Sequence, residues 1–271
     1  MTIKTRNKLN LSLCIFAILS TCFNAFILFL SIYRGTFSLD LYLKQVTKTN
    51  FLTQYNPFFV LISLYFQILY VCLTSFMLYR VFEKTKASDI IFIFLFLIAH
   101  IANTFRIWIP LFNLGATYSG LLMFCGNAIL FSKLLIPLSL LYSVIMSSDD
   151  QRQDLEKNIF LLLLVCIFFA ITIPLNTANV CLNFEVDYGY RKVIDITSVL
   201  IIIATLIAMF FNNRRKMYTQ ITTIGLAFIS IGTYILINTI NILRLALAVI
   251  FLTLGNILYL KELHKQYLWN D

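Results

Sequence analysis

Two ionisable side chains, His100 and Lys133, stand within long apolar stretches and are the first candidates for chemistry. Both are predicted to lie near the middle of a bilayer, where ionisable groups are costly and therefore mark ligand, ion or proton sites. Pro137 follows Lys133 by four residues and has no N–H, so a kink there would free a backbone carbonyl near the lysine. For both residues, a structural role in a polar core is the alternative.

A polar strip is predicted on the apolar stretch that contains His100. His100, Asn103 and Arg106 recur every third residue, which keeps them on one broad side of a helix with 3.6 residues per turn. The next stretch returns antiparallel after a short loop and brings Asn127 and Lys133 to similar depths. We therefore expect a polar seam between these two helices. Asn103 and Asn127 could instead only link helices by hydrogen bonds worth about 1 kcal/mol each, and for them we favour that interpretation.

Two arginines, Arg106 and Arg244, are predicted near the outer ends of their helices, as is Asp195. Long basic side chains at such positions can extend to the membrane surface, which would leave them without a specific role. If they instead belong to a site, Arg106 and Arg244 would lie at its outer rim. The candidate ligand-binding residues are therefore His100, Asn103, Arg106, Asn127, Lys133 and Arg244.

The sign of the charge within the apolar stretches narrows the kind of ligand. No Asp or Glu falls in the middle third of any predicted span. Proton relays and cation sites commonly use carboxylates within the membrane, so a proton-coupled or sodium-coupled transporter is disfavoured. A buried lysine without a carboxylate needs an anion, a pocket lined by carbonyls or a lowered pKa. We therefore expect an anionic small molecule or lipid as ligand, unless Lys133 stays neutral.

Enzymatic and metal-binding functions are not supported by the sequence. His100 is the only histidine within a predicted span, since His264 lies in the C-terminal tail, so a metal site with two histidines is not expected. Motifs of zinc proteases, serine hydrolases and phosphate-binding loops are missing. A retinal Schiff base on Lys133 would require a carboxylate counter-ion at the same depth in the membrane, and no Asp or Glu is predicted there. We predict no catalytic residue, no metal and no cofactor.

The composition is that of an integral membrane protein. Hydrophobic residues make up 60% of the 271 residues and charged residues 12%, whereas soluble domains carry about 25% charged residues. The net charge of +9 comes from basic residues scattered over short loops, without the aromatic residues of a nucleic-acid surface. The six cysteines lie mostly within apolar stretches and are interpreted as small core residues. The predicted partner is a lipid bilayer, and no nucleic acid is expected.

Apolar runs long enough to cross a bilayer predict an all-α, polytopic transmembrane bundle of about eight spans within a single domain, 1–271. Asn238 interrupts the last apolar segment, residues 219–260, which as one helix would reach about 63 Å, twice the hydrocarbon thickness. Two spans with a tight turn fit this segment better. The predicted spans are 11–33, 57–80, 89–109, 118–146, 158–180, 193–211, 219–237 and 241–260.

The distribution of basic residues predicts the orientation. With the N-terminus inside, thirteen of the 21 Lys and Arg residues fall in inner segments and six in outer segments, as the positive-inside rule requires. Both termini are therefore expected in the cytoplasm. We expect the membrane to be a bacterial cytoplasmic membrane.

Two functions from different classes fit this sequence. The first is a non-catalytic sensor or partner subunit that binds a small anionic or lipid ligand within the membrane. Its inner loops are short, so it would need a membrane or cytoplasmic protein partner docked on the basic segments 80–86 and 214–216. The second is a transporter or lipid-translocating protein for an anionic solute, with the polar seam lining the pathway.

Overall fold

The part of the chain that the structure describes forms eight helical spans, which confirms the predicted all-α bundle of about eight spans. The computed structural model describes residues 3–33, 52–82, 89–116, 120–146, 155–214 and 219–269. The helices are α1 (Ile3–Tyr33), α2 (Pro57–Phe82), α3 (Asp89–Asn103), α4 (Gly120–Ile145), α5 (Leu155–Thr172), α6 (Arg191–Arg214), α7 (Gln220–Ile237) and α8 (Ile242–Trp269). Eight segments of the described residues are long and apolar enough to cross a membrane, the third of them being α3 with its extension, Ile90–Leu111, so the chain is a multi-pass membrane protein.

The terminal helices are longer than predicted, because each continues beyond its apolar run into a polar segment. The apolar segment 219–260 divides as expected, with α7 ending at Ile237 and α8 beginning at Ile242. Eight crossings place the two ends of the described chain on the same side of the membrane. That this side is the cytoplasm stays a prediction, and "outer" below refers to the opposite side. Most of both basic segments proposed to dock a partner, 80–86 and 214–216, lies outside the described residues, which do not include 83–88 and 215–218.

The helix α3 lies at the centre of the bundle. In its most apolar stretch, 83% of the residues are buried. In the corresponding stretches of α5 and α6 only 17% are buried, and the exposed Leu, Ile and Phe side chains of these two helices face lipid. At its outer end α3 continues through a 3-10 turn, Thr104–Ile107, and a short helical turn, Trp108–Leu111. This tighter winding carries Arg106 into the interior, where its side chain is fully buried.

The predicted fifth span was wrong at its outer end. It was expected to run to residue 180, but α5 ends at Thr172 and Pro174 follows. Proline cannot continue the helical hydrogen-bond ladder. The polar segment after it forms strand β1 (Leu175–Val180), which pairs antiparallel with β2 (Val186–Tyr188) in a two-stranded hairpin. Asn176 lies opposite Asp187 in this pairing, so backbone groups that would be orphaned in a helix end are satisfied between strands.

The tip of this hairpin folds back into the outer half of the bundle. A turn from Cys181 to Glu185 is closed by the Phe184 N–H donating to the Cys181 carbonyl at 3.0 Å, with Phe184 at a φ of 60°. A bulky residue rarely adopts this conformation, so packing must hold it. Phe184 is completely buried against Ile107 and Leu111 of the α3 extension. The same insertion places Glu185, the next residue, at 0% exposure.

Close backbone contact joins α7 and α8 into a tight pair. A Cβ atom on Gly225 would lie 2.7 Å from the backbone nitrogen of Tyr259, and one on Gly255 would lie 2.8 Å from the backbone nitrogen of Ile229. Only glycine allows helices to approach this closely. In contrast, α6 packs chiefly on α4 and much less on α7. The pairs α4–α6 and α7–α8 therefore meet along a looser seam.

Candidate functional site

A buried carboxylate, Glu185, sits at the centre of three basic side chains. Its Oε2 atom lies 2.9 Å from the Lys133 ammonium and 3.1 Å from Arg191, and its Oε1 atom accepts a hydrogen bond from Arg106. Lys133 comes from α4, Arg106 from the extension of α3 and Arg191 from the start of α6. We call Glu185, Arg106, Lys133 and Arg191 the carboxylate cluster. It connects three helices to the tip of the hairpin.

The cluster keeps Glu185 ionised. Burial by itself raises the pKa of this carboxyl group, but the neighbouring Arg106 and Lys133 outweigh burial and lower its pKa to about 2. Two opposite charges within hydrogen-bond distance favour the charged form, even where water is excluded. Glu185 is therefore an anion at neutral pH and acts as a permanent counter-ion for the buried cations.

Arg106 also links the cluster to the outer end of α7. Its second terminal nitrogen donates to the carbonyl of Ile237, the last residue of α7, at 2.8 Å. The final carbonyls of a helix have no partner within the helix and carry partial negative charge. Arg106 thus satisfies one of them while it neutralises Glu185. The expectation that Arg106 could extend to the membrane surface was wrong, since its side chain is only 2% exposed.

Lys133 has two strong partners and one weak one. Its ammonium donates to the hydroxyl of Tyr188 at 2.8 Å and pairs with Glu185, whereas the Asp195 carboxylate lies 3.5 Å away. Burial raises the pKa of the Tyr188 phenol, although Lys133 beside it acts in the opposite direction, so the phenol stays protonated. An ammonium has three donors. Tyr188 and Glu185 accept from two of them, and Asp195, the remaining neighbour, is too far away for a short hydrogen bond.

The expectation that buried positive charge lacks acidic partners was wrong. Asp187 lies 3.5 Å from Arg191, and Asp195 lies within 4.0 Å of Arg191 and closer to Lys133. Together with Glu185 they give three carboxylates for the three cations of the cluster. The carboxylates were missed as partners because none belongs to the middle of a span: Glu185 and Asp187 come from the hairpin, and Asp195 was expected near the outer end of its helix. Formal charge in this region is balanced.

His100 belongs to a different polar network. Its Nδ1 lies 2.5 Å from the Gln67 side-chain nitrogen, Asn103 donates to the Gln67 oxygen at 2.9 Å, and Ser132 donates to Asn103 at 3.3 Å. The His100 ring also contacts Phe96 edge-on, with ring centroids 4.5 Å apart. This chain of side chains joins α2, α3 and α4, so a polar seam does lie between α3 and α4. Asn103 and His100 lie in this seam, whereas Lys133 belongs to the carboxylate cluster.

Two other candidates lie apart from both networks. Asn127 is half-buried in a groove between α4 and α5 whose other lining residues are apolar, Phe124 and Ile171 among them. Arg244 is exposed near the start of α8, where its side chain donates to the carbonyl of Asn238 at 3.0 Å. Neither residue contacts the cluster around Glu185. The structure therefore does not bring the six sequence candidates together at one site.

A pocket adjoins the cluster between α4, α6 and α7. It measures about 430 Å³ with the open space at its mouth included, of which about 30 Å³ can hold the centre of a water-sized molecule. Lys133 and Asp195 lie at its outer end, and Asp195 is 44% exposed at the opening. The Thr233 hydroxyl lines its wall and has no hydrogen-bond partner among the described residues, although it is 1% exposed. Further lining residues are Ile136, Pro137, Leu140, Ser198, Ile202, Ser230, Tyr234, Ile237 and Asn238.

Sequence reasoning missed Glu185 and Tyr188, the residues through which the hairpin reaches the cations. One signal was present. Acidic and apolar residues alternate from Glu185 to Tyr188, between Pro174 and Gly189, which is the pattern of a short strand near a turn. That pattern would have predicted a hairpin, but not its insertion into the bundle.

The described residues include no group of three His, Cys, Asp or Glu side chains that could hold a metal ion. The groups that line the pocket and could contact a ligand are charged side chains and hydroxyl groups.

Comparison with known protein families, with curated proteins and with solved structures finds no match to this chain.

Proposed function

We propose that this protein is a non-catalytic membrane sensor or partner subunit that binds a small or lipid ligand through an anionic group at Lys133. The observation that supports this is the pocket between α4, α6 and α7, which is lined by the buried residue Lys133. A buried cation at the end of a pocket favours an anionic group of a ligand over water.

The geometry around Lys133 leaves room for that group. Tyr188 and Glu185 occupy two donors of the ammonium, whereas Asp195 at 3.5 Å does not form a short hydrogen bond. A phosphate or carboxylate oxygen of a ligand could take the third donor. The unpartnered hydroxyl of Thr233 would offer it a second contact from the facing helix.

The packing of α3 favours binding over transport. The inner part of this helix is enclosed in the main apolar core, where Phe92, Phe96 and Leu97 are almost completely buried. A transport path beside α3 would have to cross this packing. One observation favours the transporter alternative: the hydrogen-bonded chain Ser132, Asn103, Gln67 and His100 carries polar groups from α4 across the centre of the bundle.

Binding and flux of one probe separate these functions. In a sensor, the wild type binds dodecyl phosphate, and Lys133→Met weakens binding tenfold or more, because a charged hydrogen bond contributes about 1.5 to 3 kcal/mol. Binding is measured by native mass spectrometry in dodecyl maltoside, with Asn127→Ala as control and circular dichroism to check folding. Equal binding by Lys133→Met would refute the proposal. Lys133-dependent entry of the probe into reconstituted vesicles would favour the transporter.

The protein partner on the inner side and the bacterial cytoplasmic membrane stay predictions of the sequence. The sensor reading requires the partner, because the inner loops are short. A change caused by ligand binding would be transmitted to the partner through α6, which runs from the pocket to its own inner end at Arg214.

A further inference from the structure

From the charge balance at this pocket, we infer that its ligand is a zwitterionic amphiphile, with an anionic and a cationic group at one end and an apolar chain at the other. This inference rests on the proposed function and names the class of ligand. It follows from three features: the charges at the outer end, the apolar wall below them and the direction in which the two are arranged.

The outer end of the pocket presents both signs of charge. Lys133 and Asp195 line the same cavity with their charged atoms 3.5 Å apart. An anionic group that replaced Asp195 at the ammonium would leave that carboxylate beside a second negative charge, with Arg191 no closer than 4.0 Å. Like charges held together in a partly dehydrated site are unfavourable.

A cationic group on the same ligand removes this cost. It would pair with the displaced Asp195 carboxylate while the anionic group pairs with Lys133, so the balance of the region is kept. Pro137 adds a further acceptor nearby, because it leaves the carbonyl of Lys133 without its regular helical donor. A ligand with anionic charge alone would add a negative charge where three carboxylates already neutralise three cations.

The inner end of the pocket is apolar on α4 and α6, while α7 contributes Ser230, whose hydroxyl donates to the carbonyl of Leu226 at 2.9 Å within its own helix. On α4 the lining changes from Lys133 to Leu140 over seven residues, about 10 Å along the helix. On α6 it changes from Asp195 to Ile202 over the same distance. Both helices run from the outer to the inner side, so charged groups lie outermost and apolar groups lie toward the bilayer centre.

This order matches the orientation of a lipid in the outer leaflet. Its head group would meet Lys133 and Asp195, and its chain would lie along Ile136 and Ile202. The looser seam between the α4–α6 and α7–α8 pairs gives the ligand a place to enter, with Tyr234 40% exposed beside it. A free zwitterion without a chain, such as an amino acid, would leave the apolar wall uncovered.

The test compares four probes by native mass spectrometry in dodecyl maltoside. They are lauroyl lysophosphatidylethanolamine, lauroyl lysophosphatidic acid, dodecylammonium and glycerophosphoethanolamine, the head group without its chain. We expect the zwitterionic lysolipid to bind at least tenfold more tightly than each of the other three. Asp195→Asn should weaken it at least fivefold and reduce its advantage over lysophosphatidic acid. Glu262→Gln, which removes a carboxylate at the inner end of α8, is the control, since Glu262 does not line the pocket, and should leave binding unchanged.

The outcomes separate this inference from the proposed function. If lysophosphatidic acid binds as tightly as the zwitterionic lysolipid and Asp195→Asn has no effect, the zwitterion inference is overturned, while Lys133-dependent binding still supports the sensor. If glycerophosphoethanolamine binds as tightly as the lysolipid, the requirement for an apolar chain is overturned. If no probe binds, or Lys133→Met binds all of them like the wild type, both proposals fail.

Discussion

Replacing Glu185 by glutamine should destabilise the protein by about 3 kcal/mol, because it leaves the buried cations Arg106 and Lys133 without their counter-ion. Two considerations give a value of this order. Removing one partner of a buried ion pair typically costs about 3 to 5 kcal/mol. A pKa lowered from 4.5 to about 2 corresponds to about 3 kcal/mol, at roughly 1.4 kcal/mol for each pH unit. Glutamine keeps the size of the side chain, so lost packing contributes little.

The measurement is the free energy of unfolding in mixed micelles titrated with sodium dodecyl sulfate. Trp108 packs against Phe105 near the cluster, with ring centroids 4.7 Å apart, and reports unfolding by its fluorescence once Trp269 is replaced by phenylalanine. The control is Asp187→Asn, which removes a partly exposed partner of Arg191 and should cost less than about 1 kcal/mol. A loss below 1 kcal/mol for Glu185→Gln would refute the view that this carboxylate holds the outer half together.

The same carboxylate predicts an acid-dependent loss of stability. A carboxyl group whose pKa is lower in the folded state binds protons more readily when unfolded, so its contribution is complete above the unfolded pKa of about 4.5. Stability should fall as the pH decreases from about 4.5 to about 2, and this step should be missing in Glu185→Gln. An unchanged acid step in that variant would assign it to another group.

Three further expectations concern packing, the polar network and orientation. Gly225→Ala should lower the free energy of unfolding by about 1 to 3 kcal/mol, because the added Cβ would meet the backbone of α8. The control is Gly120→Ala, which should cost nothing because Gly120 faces open space. Equal unfolding midpoints for the two variants would contradict the close packing of α7 on α8. Asn103→Ala should lower the free energy of unfolding by about 1 to 2 kcal/mol, because it removes hydrogen bonds to Gln67 and Ser132, and should leave lysolipid binding unchanged. Asn127→Ala is the control and should destabilise the protein less. Weaker lysolipid binding by Asn103→Ala would assign Asn103 to the binding site instead. A reporter fused after Asp271 should be active in the cytoplasm, and activity outside would overturn the predicted cytoplasmic location of the C-terminus.

The sequence predicted most of the helical framework because hydrophobic length is a strong signal in membrane proteins. The break near Asn238 followed from length alone, since one helix over residues 219–260 would be twice as long as the bilayer is thick. The end of α5 could not be obtained in this way. Ile173, Leu175 and Val180 are the apolar residues that led to a span ending at residue 180, and only Pro174 and the polar residues after it distinguish strand from helix.

The site was harder to predict because its central residue comes from a loop. His100 and Lys133 were found from their depth, and Asn103 and Arg106 from their spacing after His100; the structure buries all four. Their partners depend on tertiary contacts across large sequence separations: Arg106 binds a carboxylate 79 residues away, and Asn103 binds Gln67 36 residues away. A rule that searches for counter-ions only within spans cannot detect an acid carried inward by a hairpin.

The insertion of the hairpin also has a consequence for biosynthesis. Arg106 enters the membrane with α3, whereas its counter-ion Glu185 lies 79 residues later in the chain. At a translation rate of 5 to 20 residues per second, roughly 4 to 16 seconds pass before Glu185 is made. During this interval the nascent helices must carry uncompensated cations, shielded by lipid head groups or by the insertion machinery. The outer half of the bundle can therefore mature only after the hairpin has been translocated, and a ribosome stalled before residue 185 should leave a protease-sensitive intermediate.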